Sequence, residues 1–380
     1  MRKEKKLLVV GDFRPKSGLT EYIFETFTRL DDKFRIDVIR YGGKDDLNQK
    51  LKSLSWGNYK VTSVHDSILK HLIDWIHVLK ICKRKQYDVI HFNYSSSWNF
   101  FPVILARIML RTKIVIHSHS SYYSNTTNSK LKLSILNILN SLGRIVFNYS
   151  ADGKIATSEK AAIWMFGKSK DVEIITNGID LEKYNYSTET RLNIRKSMGI
   201  ELDTVVLGFV GALRELKNPH YLVDVFEEYK KLNNNAILLI AGDGPMRTEL
   251  EKRIEKNKSL NNAVIFMGII NNVPDVLQAM DYFVFPSQNE GYGLVLAEAE
   301  AAGLHSITTN KIPDAVIIYE LTRVVPLEEG AKYWAEIINA DIDYERKSEY
   351  KYMSDSGFDI MDSVEKLQSV YRRINNENES

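Results

Sequence analysis

Two glutamates, Glu290 and Glu298, are separated by seven residues in the run Glu-Gly-Tyr-Gly-Leu-Val-Leu-Ala-Glu, which follows the apolar stretch Tyr282–Phe285 after four residues. The order reads as strand, glycine-bearing loop, helix. At such a junction free backbone N–H groups and the positive end of a helix dipole converge, which suits a phosphate. Gly291 and Gly293 let the main chain approach a ligand, with Tyr292 and Leu294 beside them. If the helix starts near Gly291, Glu290 faces the crevice at the carboxyl end of the sheet, and Glu298 lies about two turns in on the ligand side. Carboxylates next to a phosphate site suit sugar hydroxyls better than phosphate oxygens. A lone Glu-Gly pair reads better as an acid complementing a helix dipole; the long run from Pro286 to Gly303 argues for more.

Three further places could serve such a site. A departing diphosphate needs positive charge whose effect grows as the bond breaks, and Lys217, in Phe209-Val-Gly-Ala-Leu-Arg-Glu-Leu-Lys-Asn-Pro219, can supply it; Arg214 is nearby. Gly18 follows the first apolar run and precedes a helical stretch, a position that is either a plain turn or a close approach to a ligand. His117 and His119 end the run Lys113-Ile-Val-Ile-His-Ser-His. A pair so spaced is also a metal-ligand pattern, but no Asp, Glu or Cys lies nearby in sequence to complete a set. Alternation is taken to put His117 on the opposite face, as a structural residue, and to leave His119 for the site.

These residues must be held by a fold, and the chain supplies βα units. Strand-like runs fall at 7–11, 35–39, 88–92, 113–117, 153–156 and 173–175, then at 205–210, 236–241, 263–267, 282–285, 306–309 and 323–325, with amphipathic stretches between them. Runs such as Val-Val-Leu-Gly-Phe-Val are apolar throughout, as expected of strands covered on both faces of a doubly wound sheet. A length of 380 residues fits two domains. The break is placed at Asn177-Gly-Ile-Asp180, followed by a polar, strand-free stretch to about Gly199.

Composition narrows the class. With 44% hydrophobic and 26% charged residues and no apolar run near the ~20 that a membrane helix needs, the chain reads as soluble. The apolar start, Leu7–Val10, is too short for a signal peptide, and the single cysteine, Cys82, fits a reducing cytosol. A net charge of +2 does not suggest nucleic acid as a partner. Asp341-Ile-Asp343, the one Asp-x-Asp triplet, follows a helical stretch in a charged loop and is expected to be solvated, so no metal site is read there.

The Glu290–Glu298 run resembles the paired-glutamate motif of the retaining glycosyltransferase family 4, closest to its capsular and exopolysaccharide branch, and the similarity extends over most of the chain. The resemblance implies a GT-B fold, two Rossmann-like doubly wound parallel-sheet domains facing a central cleft. It places an acceptor-binding domain at 1–178, completed by the last helix at 358–380, and a nucleotide-sugar domain at 179–357. It implies that Glu290 contacts the donor sugar and Glu298 the nucleotide ribose, that Lys217 holds the diphosphate, and that His119, in His-Ser-His, lies beside the donor sugar. Where the family has Gly-Arg this chain has Gly211-Ala212, and Arg214 is the candidate replacement. Where the family has Gly-Gly the chain has Ser17-Gly18, so only Gly18 carries over.

The reaction so implied moves a sugar, with retention and without a metal or other cofactor, from a nucleotide diphosphate sugar, a UDP-sugar being favoured, to a lipid-pyrophosphate-linked or glycan acceptor. A nucleotide-sugar epimerase or a non-catalytic partner on the same fold are the rival readings. Between Lys130 and Tyr149 the residues Leu131, Ile135, Ile138, Leu139, Leu142, Ile145 and Val146 recur at helical spacing. Most such stripes face a core. This one lies in a stretch, Val89 to Ala151, that has basic residues and no Asp or Glu. The expectation is a cytoplasmic protein bound peripherally to the anionic inner face of the cell membrane.

Overall fold

The computed structural model describes residues 4–14, 17–31, 33–41, 47–123, 129–290 and 293–375. The chain divides into two compact units, Met1–Gly178 with Ile360–Ser380, and Ile179–Asp359.

The first unit carries a seven-stranded sheet: β1 (Lys5–Gly11), β2 (Phe34–Tyr41), β3 (Gly57–Val61), β4 (Val89–Tyr94), β5 (Lys113–Ser118), β6 (Gly153–Ala156) and β7 (Glu173–Ile174). Their order is β3-β2-β1-β4-β5-β6-β7, all parallel. Because successive side chains alternate, Leu7 and Val9 enter one core and Leu8 and Val10 the other. The helix Ile360–Ile374 closes the first of these cores with Val364, Leu367, Val370 and Tyr371.

The second unit carries six strands: β8 (Val205–Val210), β9 (Ala236–Ala241), β10 (Val264–Gly268), β11 (Tyr282–Phe285), β12 (His305–Thr308) and β13 (Thr322–Val324). The order β10-β9-β8-β11-β12-β13 is again all parallel. In both sheets the strand order reverses beside the first strand, between β1 and β4 and between β8 and β11. Loops leaving neighbouring strands there run to opposite faces and open a crevice at the carboxyl edge, where doubly wound sheets take ligands.

Each of the twelve strand-like runs in the sequence overlaps an observed strand, and β3 is an addition. Its sequence, Gly-Asn-Tyr-Lys-Val, lacks an apolar run because it forms the sheet edge. Asp341 departs from expectation. Its carboxylate accepts from Arg323 (2.6 Å), His305 Nδ1 (3.0 Å) and the Tyr282 hydroxyl (3.0 Å), so it is a structural junction and not a solvated loop acid.

The helix Lys130–Ser150 inverts the common pattern. Leu131, Ile135, Ile138, Leu142 and Ile145 are between 48% and 72% exposed, while Asn140, Gly143, Phe147 and Ser150 face inward. Around Asn140 and Gly143 the inner face is polar and small because the helix crosses the loop after β4 at close range, while Phe147 enters the core further along. Asn140 Oδ1 accepts from the Ser97 amide at 2.8 Å, and a Cβ on Gly143 would lie 1.8 Å from the Ser97 carbonyl oxygen. The core reading is therefore overturned for these five residues, whereas Leu139 and Val146 are half-buried and Val146 packs on the core. Among the described residues no helix is long and apolar enough to cross a membrane.

Candidate active site

At the carboxyl edge of the second sheet, β8 leads into the loop 211–214 and β11 into the loop 286–290. The first is seated by hydrogen bonds from Leu213 N to Asp243 O (3.0 Å) and from Met246 N to Leu213 O (3.1 Å). A single 3-10 turn, Glu215–Lys217, follows, and Asn218 in the left-handed region passes the chain into the helix Pro219–Leu232. The two loops are tied to one another through one carbonyl: Leu216 O accepts from Gln288 N at 2.8 Å and from Ser287 Oγ at 3.0 Å.

That tie brings Lys217 and Glu290 together. The Lys217 ammonium pairs with Glu290 Oε1 and lies 4.9 Å from the centre of the Phe285 ring. Both side chains are only partly exposed, so their attraction is screened less than that of a surface pair. Ser287 Oγ, 2.6 Å from Glu290 Oε1, holds the same carboxylate. Ser287 is in turn fixed by Thr309 Oγ1, which donates to its carbonyl at 2.7 Å. Arg214 begins the 3-10 turn and is exposed, away from that pair in sequence by one turn.

The helix after this loop begins at Leu294 rather than near Gly291. Glu298 is consequently little more than one turn from the helix start, half-buried, instead of two turns in. Gly293 caps the helix at φ 88°, a left-handed conformation that a side chain would strain, and its Cβ position lies 3.8 Å from Glu290 Cγ. Leu294 is half-buried at the first helical position. Gly291 and Tyr292 lie outside the described residues.

Gly18 and His119 belong to the first unit. Gly18 opens the helix Gly18–Phe27 after β1, and Ser17 caps it by accepting from Thr20 N. Among the described residues a Cβ added to Gly18 would meet nothing within 4 Å, so they do not demand glycine there.

His119 follows β5, its amide donating to Tyr94 O at 2.9 Å. Its ring lies 4.0 Å from that of His117, which corrects the expectation that His117 faces the other way: residues two apart on a strand share a face. His91, from β4, continues the stack at 5.4 Å from His117. Burial lowers all three imidazoles, His119 and His91 to about 3, with His119 adding to the effect on His91. All three are neutral at ordinary pH. Among the described residues no three His, Cys, Asp or Glu side chains converge on a position for a metal ion.

Ser287, His91 and Tyr22, which stands 4.6 Å from His119, were not singled out by sequence reasoning. Only the buried position of a polar side chain inside an apolar strand, as for His91 in Val-Ile-His-Phe-Asn-Tyr, hinted at one of them.

Residues 16–183 match the family model described as Glycosyltransferase Family 4, and residues 190–332 that described as Glycosyl transferases group 1. The chain is 25% identical over 365 residues to the capsular polysaccharide biosynthesis glycosyltransferase CapH of Staphylococcus aureus, covering 94% of this chain and 95% of that protein. It is 28% identical over 251 residues to the UDP-Gal:alpha-D-GlcNAc-diphosphoundecaprenol alpha-1,3-galactosyltransferase of Escherichia coli, covering 64% and 63%. In three dimensions it resembles Anabaena Alr3699/HepE, solved in complex with UDP, with a TM-score of 0.78 at 19% identity over 97% of this chain and all of that one, 100%.

Proposed function

Since the chain belongs to glycosyltransferase family 4 and has the GT-B fold, we propose that it moves a sugar from a nucleotide diphosphate donor, a UDP-sugar first among them, to a lipid-pyrophosphate-linked sugar or growing glycan during cell-surface polysaccharide synthesis. The observation that carries this reading is the Lys217–Glu290 pair at the β8/β11 reversal, one loop away from the start of the helix Leu294–Ala301.

A diphosphate arriving at that corner competes with Glu290 for Lys217. The lysine and the helix N-terminus then face the phosphates, and the carboxylate is released toward sugar hydroxyls. Glu298 takes the ribose, Arg214 stands in for the arginine missing at Ala212, and Gly291, Tyr292, Gly293 and Leu294 supply main chain and packing around the donor. Gly18 serves the diphosphate by letting main chain come near, and His119 serves the sugar. As the bond to the anomeric carbon breaks, the departing phosphate oxygens take the acceptor proton on the same face of the sugar, so configuration is retained. Lys217 stabilises the charge that develops, with no metal required. The names of two relatives support the class of donor and acceptor, one acting with UDP-Gal on a diphosphoundecaprenol-linked sugar and one solved with UDP.

Thermal shift against UDP- and GDP-sugars, followed by NMR of the product's anomeric centre with chelator present, tests this. Stabilisation by a nucleotide sugar is expected because a ligand that binds only the folded state raises its melting point. Failure of every nucleoside diphosphate to stabilise the protein, or an inverted product, would overturn it.

The exposed stripe on the helix Lys130–Ser150 suits a membrane-bound acceptor. Lys130 and Lys132 head this helix, and Asn137, Ile138, Ser141, Leu142 and Ile145 line a shallow depression of about 320 Å³ on it. Two other basic residues of the acid-free stretch, Arg107 and Lys113, are paired with Asp152, so attraction to anionic headgroups falls to the helix and to the exposed Arg111. Flotation with anionic vesicles should bring the protein up and neutral vesicles should not. Ile138→Asp with Leu142→Asp should abolish it; equal binding to both kinds of vesicle would count against the proposal.

A further inference from the structure

His119 is held from two sides. Its backbone is fixed on Tyr94 O, and its Nε2 lies 2.9 Å from Asn93 Oδ1. The other end of the Asn93 amide is 3.2 Å from the Val10 carbonyl. A carbonyl oxygen only accepts, so the amide nitrogen must face Val10 and the amide oxygen must face the histidine. An amide oxygen also only accepts, and Nε2 therefore carries the proton. In a neutral imidazole this leaves Nδ1 as the unprotonated, basic edge. Nδ1 is buried and has no hydrogen-bond partner among the described residues.

The titratable groups around this ring give no alternative source of charge. His117 on its own strand lies 4.0 Å away, Tyr22 on the helix Gly18–Phe27 lies 4.6 Å away, and His91 on β4 stands behind His117. Tyr371, from the helix Ile360–Ile374, reaches His91 Nδ1 at 2.7 Å. The ring is thus surrounded by imidazoles, phenols and one amide, and the amide alone sets where its proton sits.

We infer that Asn93 is a positioning residue: oriented by the Val10 carbonyl, it fixes His119 as the Nε2–H tautomer. Its consequence for sugar transfer rests on the reading of His119 given above. A neutral ring of fixed tautomer offers a constant dipole beside a sugar on which positive charge develops, where an imidazolium would oppose the reaction. Asn93→Asp keeps the shape, puts a carboxylate against Nε2–H, and draws a proton onto Nδ1.

The test uses the full chain labelled with 15N-histidine and long-range 1H–15N correlation between pH 5.5 and 8.5, with the His119 signal assigned by its loss in His119→Gln. Wild type should show a neutral Nε2–H ring throughout that range. Asn93→Asp should show a ring that becomes an imidazolium within it, and Asn93→Ala a mixture of tautomers. An Nδ1–H ring or ordinary titration in the wild type, which needs no variant to fold, would overturn the assignment, as would an unchanged ring in Asn93→Asp. In activity, Asn93→Asp should lose about ten- to a hundredfold in kcat at pH 6 with a smaller change in donor KM, and recover as pH rises. If the ring titrates in Asn93→Asp while the pH profile of transfer stays that of the wild type, the hold of Asn93 on His119 stands and the placement of His119 beside the sugar falls.

Discussion

The two sheets reverse their strand order in the same way, yet the chemistry gathered at the two reversals is opposite. At β8/β11 the chain keeps an ammonium and a carboxylate paired at partial exposure and ties their loops through the Leu216 carbonyl. Near β1/β4 it assembles imidazoles, a phenol and an amide, and burial removes charge from every histidine. One topology therefore makes an ionic corner from loop side chains and a neutral one from side chains on β4, on and just after β5, and on the helix after β1. An ionic corner can exchange its partner for a diphosphate. A neutral corner can hold a ring still while charge develops elsewhere.

The largest expected effect comes from emptying the ionic corner. Lys217→Ala should lower kcat/KM for the nucleotide sugar about a thousandfold, roughly 4 kcal/mol of transition-state stabilisation. Steady-state transfer assays measure it, and circular dichroism should show the fold unchanged because Ser287 still holds Glu290. A loss below tenfold would mean that the two corners do not differ in function as they do in charge.

Acid tests the neutral corner. The folded-state values of His91 and His119, about 3, lie below the 6.5 of an ordinary histidine. The unfolded chain therefore takes up protons first, and stability present above pH ~6.5 is lost as the pH falls toward 3. Between pH 6.5 and 5 each such histidine should cost about 2 kcal/mol. Urea denaturation across that range measures the slope, and His91→Gln should reduce it.

Gly18→Ala separates fold from ligand. Because its Cβ would meet no atom of the described residues within 4 Å, the melting temperature should hold, while transfer should fall about thirtyfold, roughly 2 kcal/mol, if main chain there approaches a phosphate. Unchanged transfer would return Gly18 to the role of an ordinary turn.

How much of this was legible in the sequence depends on whether a feature is local. The strand runs and the Glu290 to Glu298 loop are contiguous, so periodicity and glycine placement displayed them. The Lys217–Glu290 pair joins residues 73 apart, and the tie through Leu216 that creates it is invisible before folding. His117 was misread although its spacing held the answer, since positions two apart share a face. The stripe at 131–145 points outward because the inner face had to be small enough to pass Ser97, a constraint set by Gly143 and Asn140 meeting another loop. Asp341 looked solvated because its partners, Arg323, His305 and Tyr282, come from three separate strands.

A last test sharpens the contrast from within the second unit. Glu300 sits two residues beyond Glu298 on the same helix, yet it is fully buried, accepting from Ile318 N at 2.9 Å and Thr322 Oγ1 at 2.7 Å. Burial, outweighing those two hydrogen bonds, raises its carboxyl to about 8. It is thus protonated where Glu290 serves as an ion-pair partner, and the rule that neutralises the histidines operates on the helix that follows the ionic corner, nearly two turns from its start. The sign follows from the raised value. The unfolded chain releases this proton near pH 4.5 and the folded one near 8, so the stability that Glu300 contributes is complete below about 4.5 and is lost as pH rises through 8. Glu300→Gln keeps an acceptor for both donors and cannot ionise. It should gain about 4 kcal/mol of stability relative to the wild type between pH 4.5 and pH 8, with the advantage almost gone at pH 4.5. Denaturation midpoints at the two pH values measure the difference. An advantage independent of pH would show that Glu300 is ionised in the fold, and that the second unit buries charge where the first removes it.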